Sequence, residues 1–366
     1  MSQILEEITV KDLLGDGSKD DILALSLEKI EEFFVSFNEP KYRGKQIFTW
    51  LHRDMVTSFD QMSNIPKTLR DILNYRFYIP QPEILNKVTS QRDGSVKYLF
   101  DYGNEVMVET VLMKNNYGYT ICVSTQVGCK MGCTFCASHI AGFTKNLTAG
   151  QILGQVYTIQ KQIDKKISNI VIMGIGEPLD NYDNSMIFIR NLSSPNGHNL
   201  SQRNITISTC GIVEKMYDLA NEGLTVTLAI SIHAGEDTVR KQIMPVARRY
   251  TMEEIKEAAD YYFEKTKRRV SYEYVLIKDV NDTKEQAESL AKYLKHSPSH
   301  VNLIPLNAVS ESGYLTSAGK QTKDFMAVLE KNKISTTVRI SKGQDINAAC
   351  GQLRRNALEK EKMMKI

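Results

Sequence analysis

Residues 119–136 read YTICVSTQVGCKMGCTFC, a short β-rich run followed by three closely spaced cysteines. Cys129, Cys133 and Cys136 have the spacing C-x3-C-x2-C, and soft thiolates in such a run bind iron–sulfur clusters or zinc. Three protein ligands on a four-iron cube leave one iron free, and an open coordination position is typical of a metal site that performs chemistry. The run therefore indicates a [4Fe–4S] cluster that can hold S-adenosylmethionine (SAM) and pass an electron to its sulfonium.

A structural zinc site is the alternative interpretation of the same cysteines, with a fourth ligand such as His139. Zinc sites usually combine two short C-x2-C or C-x2-H units, and the sequence contains no second pair. Phe135 also stands where a radical SAM motif usually has an aromatic residue. The motif, together with the alternation of strands and helices after it, favours the cluster.

The sequence after Tyr119 alternates short apolar β-rich runs with helical stretches. This alternation predicts a parallel sheet with crossover helices. About six such units suit an α/β fold with a partial (β/α)6-type barrel, whose chemistry lies at the carboxyl ends of its strands. The β-rich runs are 119–124, 169–174, 204–209, 225–231, 269–276, 301–306 and 336–340. The helical stretches lie near 148–163, 183–192, 213–221, 252–265, 283–295 and 320–331.

The part of the chain before the barrel has a different pattern. Apolar residues at helical spacing predict a small helical module, and an acidic stretch with six acidic and two basic side chains precedes it. The period then changes and predicts a hairpin of two strands, 96–100 and 106–113. The predicted domains are an acidic flexible leader at 1–22, a helical accessory domain at 23–80, a β-hairpin connector carrying Glu109 at 81–114, the core barrel at 115–350 and a basic C-terminal tail at 351–366.

The composition is that of an ordinary globular protein. The chain has 366 residues, of which 42% are hydrophobic and 24% charged, so it can bury a sizeable core. Its net charge of +3 does not by itself indicate a nucleic-acid partner. No run reaches the ~18–20 apolar residues of a membrane helix, and the N-terminus lacks the pattern of a signal peptide. We therefore expect a cytoplasmic protein.

Glycines and short polar side chains follow several predicted strands. The second strand ends in Met173-Gly-Ile-Gly-Glu177-Pro178, where glycine lets the backbone approach a ligand closely. Each such patch alone could be an ordinary polar loop, but together they offer donors and acceptors suited to a carboxylate, a ribose and an adenine. The other patches are Ser208-Thr209-Cys210-Gly211, Ser231-Ile232-His233-Ala234 and the stretch with Asn302 and Asn307.

Two further cysteines, Cys122 and Cys350, stand apart from the cluster run. Cys350 is flanked by alanine and glycine, which leaves room for a bulky partner at its sulfur. Sulfur is a good methyl acceptor and leaving group, and thiols near cations ionise below the ordinary pKa of ~8.5. Both could equally be small buried core residues. By the same reasoning Glu109 is a surface carboxylate and Cys210 a structural cysteine.

Over nearly its whole length the sequence resembles the RlmN/Cfr family of radical SAM RNA methyltransferases. One departure is Ile175, where the family more usually has Met, and an apolar residue of similar size is tolerated. Pro178 after Glu177 and the phrase around Glu273 resemble the RlmN branch more than the Cfr branch. The motifs that carry the resemblance include Glu39-Pro40-x-Tyr42-Arg43-x-x-Gln46, Cys122-Val-Ser-x-Gln126-x-Gly128-Cys129, Gly174-x-Gly176-Glu177-Pro178-Leu179, Ser231-Ile232-His233 and Ala348-Ala349-Cys350-Gly351-Gln352-Leu353.

The resemblance implies a role for each candidate residue. Cys350 takes a methyl group from one SAM, and a second SAM is cleaved to a radical that activates this methyl for addition to an adenine carbon. Cys122 then attacks the sulfur of Cys350 and forms a transient disulfide as the product leaves, while Glu109 takes the proton from the adenine carbon. The cluster ligands are Cys129, Cys133 and Cys136, and the SAM-binding residues are Gly176, Glu177, Ser208, Ser231, Ile232, His233 and Asn307.

The resemblance also implies substrates and partners. The expected substrate is an adenosine of large-subunit rRNA in the peptidyl transferase centre, methylated at C2, with the adenosine 3′ to the anticodon of certain tRNAs as a second target. The expected electron donor is a flavodoxin or a ferredoxin, and the expected state is a monomer. The alternatives are C8 methylation as in the Cfr branch, a radical SAM enzyme with a non-RNA substrate, and a zinc-stabilised RNA-binding module without catalysis.

Clusters of lysine and arginine are the expected contacts to RNA phosphates, although each cluster could also be an ordinary solvated face. We expect the helical module to hold the RNA while the target base is turned out of its stack. The clusters are Lys41, Arg43, Lys45 and Arg53 in the module, Arg240, Lys241, Arg248 and Arg249, then Lys265, Lys267, Arg268 and Arg269, and the C-terminal tail.

Overall fold

The computed structural model describes residues 19–353. An N-terminal helical module comes first. Its first helix begins at a good cap, because the Ser26 hydroxyl accepts the backbone N–H of Lys29. The elements are β1 (Asp20–Asp21), α1 (Leu27–Ser36), α2 (Tyr42–His52), α3 (Lys67–Arg76) and β2 (Phe77–Tyr78).

The structure differs from the predicted leader at the end of that segment. Strand β1 pairs in parallel with β2, and Ile22 is buried in the core. Asp21 is held by the hydroxyl of Thr148 in the barrel, and burial raises the pKa of Asp21 to about 6. Residues 20–22 therefore join the module to the barrel. The rest of the predicted leader, residues 1–18, lies outside the described residues.

The connector contains three antiparallel strands where the sequence predicts two. They are β3 (Glu83–Thr89), β4 (Val96–Asp101) and β5 (Met107–Asn115). Strand β5 also pairs with the first barrel strand, so the connector and the barrel share one ten-stranded sheet. The sequence missed β3 because most of its residues are exposed and it lacks an apolar run.

The barrel follows as seven parallel strands with crossover helices on the outside. The predicted strands and helices all occur, and α7 is an additional short helix. This confirms the α/β class and the partial (β/α)6-type barrel with a helical accessory module. Its elements are β6 (Gly118–Cys122), β7 (Gln126–Val127), β8 (Lys145–Asn146), α4 (Ala149–Gln160), β9 (Ile167–Ile172), α5 (Tyr182–Ser193), β10 (Ile205–Thr209), α6 (Val213–Asn221), β11 (Thr227–Ser231), α7 (Asp237–Ile243), α8 (Met252–Thr266), β12 (Val270–Leu276), α9 (Lys284–Tyr293), β13 (Ser299–Pro305), α10 (Gly319–Lys331) and β14 (Ser335–Val338).

The sheet order is β14-β13-β12-β11-β10-β9-β6-β5-β4-β3. The strands from β14 to β6 are parallel, so their carboxyl ends all reach the same rim. The main core runs through the barrel and the module without a break. In the described part of the chain, no helix has the length and apolar character needed to span a membrane.

The first prediction concerns the attachment of the module. The side-chain amide of Asn191 on α5 donates to the carbonyl oxygens of Leu23 and Leu25, at 3.0 Å each. Asn191→Ala leaves both carbonyls unpartnered and should lower the free energy of unfolding by about 1–3 kcal/mol, measured by denaturant unfolding. Asn332→Ala, which removes only a local bond on an exposed helix end, should change it by less than about 0.5 kcal/mol. Equal losses would contradict the docking role.

Candidate active site

A cavity opens at the carboxyl ends of the parallel strands. Side chains at the ends of β9 to β14 converge there, and the space between the walls, with its open mouth, is about 970 Å³. Among the predicted site residues, Ile232, Cys122 and Glu109 lie outside its lining. Those that line it are Cys129, Cys133, Cys136, Gly176, Glu177, Ser208, Ser231, His233, Asn307 and Cys350.

The three clustered cysteines lie on a loop whose two ends are joined by the antiparallel pair β7–β8. Gly128 starts this loop with φ +78°, and a Cβ there would collide with the carbonyl oxygen of Gly142, so the position requires glycine. On the far side, the backbone N–H of Thr134 donates to the carbonyl of Ile243 at 3.0 Å. These contacts hold the loop so that its thiols line the cavity.

The electrostatics of the three thiols fit an iron–sulfur cluster. Burial raises the pKa of Cys129 to about 12 and the pKa of Cys133 well above its ordinary value, and neighbouring thiols of the loop raise both further. Burial also raises the pKa of Cys136. Such thiols ionise together only beside a compensating cation, which the iron atoms of a cluster supply. Within residues 19–353, no group of three or more His, Cys, Asp or Glu side chains is arranged to hold a single metal ion.

The turn after β9 presents Glu177 to the cavity. Gly176 has φ +108°, and a Cβ there would lie 2.6 Å from the Cβ of Gln126. The side-chain oxygen of Gln126 accepts the backbone N–H of Glu177 at 2.8 Å. The Glu177 carboxylate accepts the backbone N–H groups of Leu179 at 3.0 Å and Cys210 at 2.8 Å, and burial raises its pKa. The side chains of Thr209 and Cys210 also hydrogen-bond to this carboxylate, so four groups fix its orientation toward the cavity.

The end of β11 divides its residues between the cavity and the core. Ser231 and His233 line the cavity, whereas the Ile232 side chain is fully buried, so a ligand can meet Ile232 only through its backbone. Nδ1 of His233 accepts the backbone N–H of Val275 at 3.0 Å, and burial lowers the pKa of His233 to about 3. The ring is therefore neutral and packs edge-on against Phe135, with 5.0 Å between ring centres.

Cys350 lies on a loop after β14 that is tied to two other loops. The amide nitrogen of Asn307 donates to the carbonyl of Cys350 at 3.1 Å, and its oxygen accepts from Gln344 at 2.8 Å. The backbone N–H of Ala137 donates to the carbonyl of Gly351 at 2.7 Å. Asn307 thus holds the Cys350 loop, and the bond from Ala137 to Gly351 joins this loop to the loop of the clustered cysteines.

Cys122 on β6 is close enough to Cys350 for the two thiols to influence each other. Burial raises the pKa of Cys122 to about 12, a charge on Cys350 would raise it further, and Arg339 opposes the rise. All six cysteines are free thiols. Negative charge on Cys350, and then on Glu273, raises the pKa of Arg339, whose guanidinium lies 3.6 Å from the Glu273 carboxylate. One cation therefore serves both sulfurs.

Glu109 is buried, which corrects its interpretation as a surface carboxylate. It lies on β5, two residues from the position that pairs with Cys122, and so shares a sheet face with that thiol. Its carboxylate is 3.0 Å from Nζ of Lys97. Nζ of Lys97 also donates to the carbonyl of Asn347, in the Cys350 loop, at 3.2 Å. Lys97 thereby links Glu109 to the Cys350 loop.

Among the residues that line the cavity, sequence reasoning assigned no site role to two charged ones, Glu273 and Arg339, and took Cys210 for a structural cysteine. One oxygen of Glu273 accepts from Asn302 at 2.8 Å, while the other, Oε2, has no hydrogen-bond partner. A charged residue inside an otherwise apolar buried strand was the available signal for Glu273. Cys210 carried no such signal, because only the fold brings its backbone to Glu177.

The predicted basic cluster at residues 240–249 is wrong in one member. Arg240 is fully buried and cannot reach RNA phosphates, whereas Lys241, Arg248 and Arg249 are exposed. The sequence could not distinguish them, since all four lie within one polar stretch. Residues 354–366 of the predicted basic tail lie outside the described residues.

Comparisons with known proteins agree with this geometry. A family model described as "Radical SAM superfamily" matches residues 123–294, and one described as "Ribosomal RNA large subunit methyltransferase N-terminal domain" matches residues 20–79. Two relatives are named as dual-specificity RNA methyltransferases RlmN. The one from Lachnoclostridium phytofermentans is 49% identical over 95% of this chain and 98% of its own length. The one from Clostridium tetani is 49% identical over 92% and 96%.

The solved structures include a radical SAM methyltransferase from Sphaerobacter thermophilus. It is 40% identical in sequence and superposes with a TM-score of 0.86, over 91% of this chain and 99% of its own. The likeness therefore extends over the module, the connector and the barrel together.

The second prediction concerns the Glu177 turn. Gly176→Ala forces a side chain into a left-handed backbone position against Gln126, and should lower the free energy of unfolding by about 1–3 kcal/mol. The matched control is Gly319→Ala, at the start of α10, where a Cβ would meet nothing within 4 Å. Denaturant unfolding of both variants should show a loss for Gly176→Ala only. If Gly176→Ala unfolds like the wild type, the turn does not require glycine.

Proposed function

Because the chain belongs to the RlmN family of radical SAM RNA methyltransferases, we propose that it methylates C2 of an adenosine in the peptidyl transferase centre of large-subunit rRNA. We extend the proposal to the adenosine 3′ to the anticodon of certain tRNAs. The family membership supports an RNA methyltransferase that uses a [4Fe–4S] cluster and SAM, and it removes the zinc module and the non-RNA enzyme as explanations. With RNA as its substrate, the protein would act in the cytoplasm.

The cavity contains residues suited to each cofactor. Cys129, Cys133 and Cys136 would hold the cluster, which supplies an electron when bound, and SAM supplies the methyl group and the radical. The Glu177 carboxylate would accept a hydrogen bond from the amino group of SAM, and the neutral ring of His233 would line the part of the cavity that SAM occupies. Gly176, Ser208, Ser231, the Ile232 backbone and Asn307 would complete the SAM contacts. We propose that each turnover consumes two SAM molecules.

The observation that carries the proposal is the pair of free thiols, Cys122 and Cys350, beside one guanidinium. In the first step the Cys350 thiolate would form a bond to the methyl carbon of SAM as the bond from that carbon to the sulfonium breaks. The thiolate is the nucleophilic form of cysteine. Negative charge on Cys350 is the largest influence on the guanidinium of Arg339.

The second thiol would release the product. The methyl group of Cys350 would lose a hydrogen atom to the radical from the second SAM, and the resulting carbon radical would add to the adenine. The adduct would then give one electron back to the cluster and its ring proton to a base, which leaves the substrate tied to Cys350 through its sulfur. Attack by the Cys122 thiolate on that sulfur makes a disulfide bond and breaks the bond from sulfur to carbon, and the carbon keeps the electron pair and takes a proton. External electrons must then reduce the disulfide, so we propose a low-potential donor such as flavodoxin or ferredoxin for both the disulfide and the cluster.

Glu109 is the proposed base for the proton on the adenine carbon. Its buried carboxylate lies 3.0 Å from Nζ of Lys97, which also binds the Cys350 loop. The side chain of Lys97 therefore contacts both the proposed base, Glu109, and the loop that carries the proposed methyl carrier, Cys350. Such mutual fixation favours a reaction in which the carrier and the substrate act as one molecule.

The helical module offers a surface suited to RNA. A groove on α2 is bordered by Tyr42, Lys45, Trp50 and Arg53. Tyr42 is 53% exposed, and the guanidinium of Arg43 lies 5.1 Å from the centre of its ring. Aromatic rings beside cations can stack on unpaired bases while the cations meet phosphates. We propose that this groove holds the RNA for a monomeric enzyme.

The third prediction tests the methyl carrier. Anaerobically purified, cluster-loaded protein incubated with SAM should yield a Cys350 peptide heavier by one methylene unit, detected by mass spectrometry. Cys350→Ala should lose this mass and all RNA methylation while keeping the cluster absorbance. Cys122→Ser should keep the methylated Cys350 and accumulate protein linked to RNA.

The methylated RNA should contain 2-methyladenosine when its nucleosides are compared with authentic standards. Formation of 8-methyladenosine would replace the C2 assignment with the Cfr type. An unmodified Cys350 together with full RNA methylation would overturn the carrier role.

The fourth prediction tests the RNA groove. Replacing Lys45 and Arg53 by glutamate should weaken binding of an rRNA fragment. The slope of log affinity against log salt concentration should become shallower by about one unit for each lost phosphate contact. Cleavage of SAM without RNA should be unchanged, because the groove lies on the module. Lys29→Glu, an exposed charge change on α1 outside the groove, serves as the control. Wild-type RNA affinity in the double variant would exclude this groove as the binding surface.

A further inference from the structure

Arg240 on α7 is a fully buried arginine behind the wall of the cavity. Its guanidinium donates to three backbone carbonyls: Cys210 at 2.6 Å, Ile232 at 3.2 Å and Tyr250 at 3.5 Å. These carbonyls belong to the ends of two neighbouring barrel strands and to the segment after α7. The side chain therefore lies directly beneath the rim on which the site is built.

The charge of Arg240 has no carboxylate beside it. Among the charged side chains of residues 19–353, no Asp or Glu oxygen lies within 4.0 Å of its guanidinium, unlike Arg339, which has Glu273. Burial of an unpaired charge is among the most costly features a fold can contain, and carbonyl dipoles replace only part of the lost hydration. A neutral side chain could satisfy carbonyls at a lower cost, so the positive charge requires a partner.

The cluster loop packs against the end of α7, the helix that carries Arg240. The backbone N–H of Thr134 bonds to the carbonyl of Ile243 at the end of α7, and Ile243 packs in the same apolar group as Phe135 and Cys133. The carbonyl that Arg240 binds at 2.6 Å belongs to Cys210, which packs in this same apolar group, and Cys133 and Cys136 pack against the group. Arg240 therefore binds the backbone of a residue in the group that contacts two of the three cluster ligands.

We propose that Arg240 is the built-in counter-charge of the iron–sulfur cluster and raises its reduction potential. A cluster bound by three thiolates is anionic, and its negative charge grows when it accepts an electron. A fixed cation in a low-dielectric wall stabilises the reduced form more than the oxidised form, because Coulomb energy is weakly screened there. Net charge and hydrogen bonding around a cluster are known determinants of its potential.

This role differs from that of the other cations near the site. Lys130, which follows Cys129, is half-exposed and pairs with Asp180 at 2.9 Å, so solvent and a carboxylate screen it. Arg240 is shielded from solvent, and Asp237, the carboxylate that acts on its charge, makes no ion-pair contact with it. The inference rests on the cluster of the proposed function and is independent of the RNA substrate.

The test is a redox titration of the cluster-loaded protein without SAM or RNA, followed by the electron paramagnetic resonance signal of the reduced cluster. Arg240→Gln keeps hydrogen-bond donors for the carbonyls and removes the charge. It should lower the midpoint potential, so that at a given potential the ratio of reduced to oxidised cluster falls by about tenfold, equivalent to ~59 mV for one electron. Arg240→Lys keeps the charge and should stay near the wild-type potential even where its stability falls.

Arg249→Gln is the matched control, because Arg249 is on the same segment, 72% exposed in its side chain and paired with Glu214. It should leave the potential unchanged. An unchanged potential in Arg240→Gln, or an equal fall in Arg240→Lys, would reduce Arg240 to a structural support and overturn the proposal.

Should Arg240→Gln fail to fold, Arg240→Met is titrated in its place, and the Lys variant alone still decides whether lost hydrogen bonds shift the potential. A protein that takes up the cluster but methylates no RNA would show these shifts all the same, so failure of the proposed function and failure of this inference are distinguishable.

Discussion

The parallel alignment of the barrel strands is the constraint on which the site depends. Parallel strands need crossover helices to return the chain, and each return brings another carboxyl end to the same rim. The cluster loop, the Glu177 turn and the end of β11 are thereby gathered around one cavity although they are far apart in the chain. Residues at these ends lie at the rim, and those whose side chains point inward line the cavity, which explains how loops of unrelated sequence form one site.

The antiparallel strands beside the barrel are part of the site and not a spacer. Strand β5 continues the sheet from β6, so Glu109 and Cys122 share a face, and Lys97 on β4 connects Glu109 with the Cys350 loop. The same loop is also tied from the turn after β3, where the hydroxyl of Ser90 donates to Asp345 at 2.7 Å. The position of Cys350 therefore depends on the connector as much as on the barrel.

Buried charge is distributed in a way that fits redox and methyl-transfer chemistry. Glu177 accepts backbone N–H groups, and Arg240 donates to backbone carbonyls. One oxygen of Glu273 accepts from Asn302, while the other lies 3.6 Å from the guanidinium of Arg339 without a hydrogen bond. Two cations thus lie at the site: Arg339 acts on the free thiols, and Arg240 binds the backbone of Cys210, which packs with two cluster ligands. A low-dielectric wall makes each of these charges effective at the sulfur it faces.

The sequence by itself determined the features that depend on local spacing. These are the cysteine run, the alternation of strands and helices, and the glycines of the Glu177 turn. Family motifs also identified Cys122 and Cys350 as candidate catalytic residues. Only the tertiary structure decided that Glu109 is buried, that Arg240 cannot meet RNA, and that a third connector strand exists. The reason is physical: the bond from Lys97 to the Cys350 loop spans 250 residues, and no local pattern records which partner such a side chain will find. Spacing defines which groups reach the rim, whereas burial and charge pairing are properties of the packed chain.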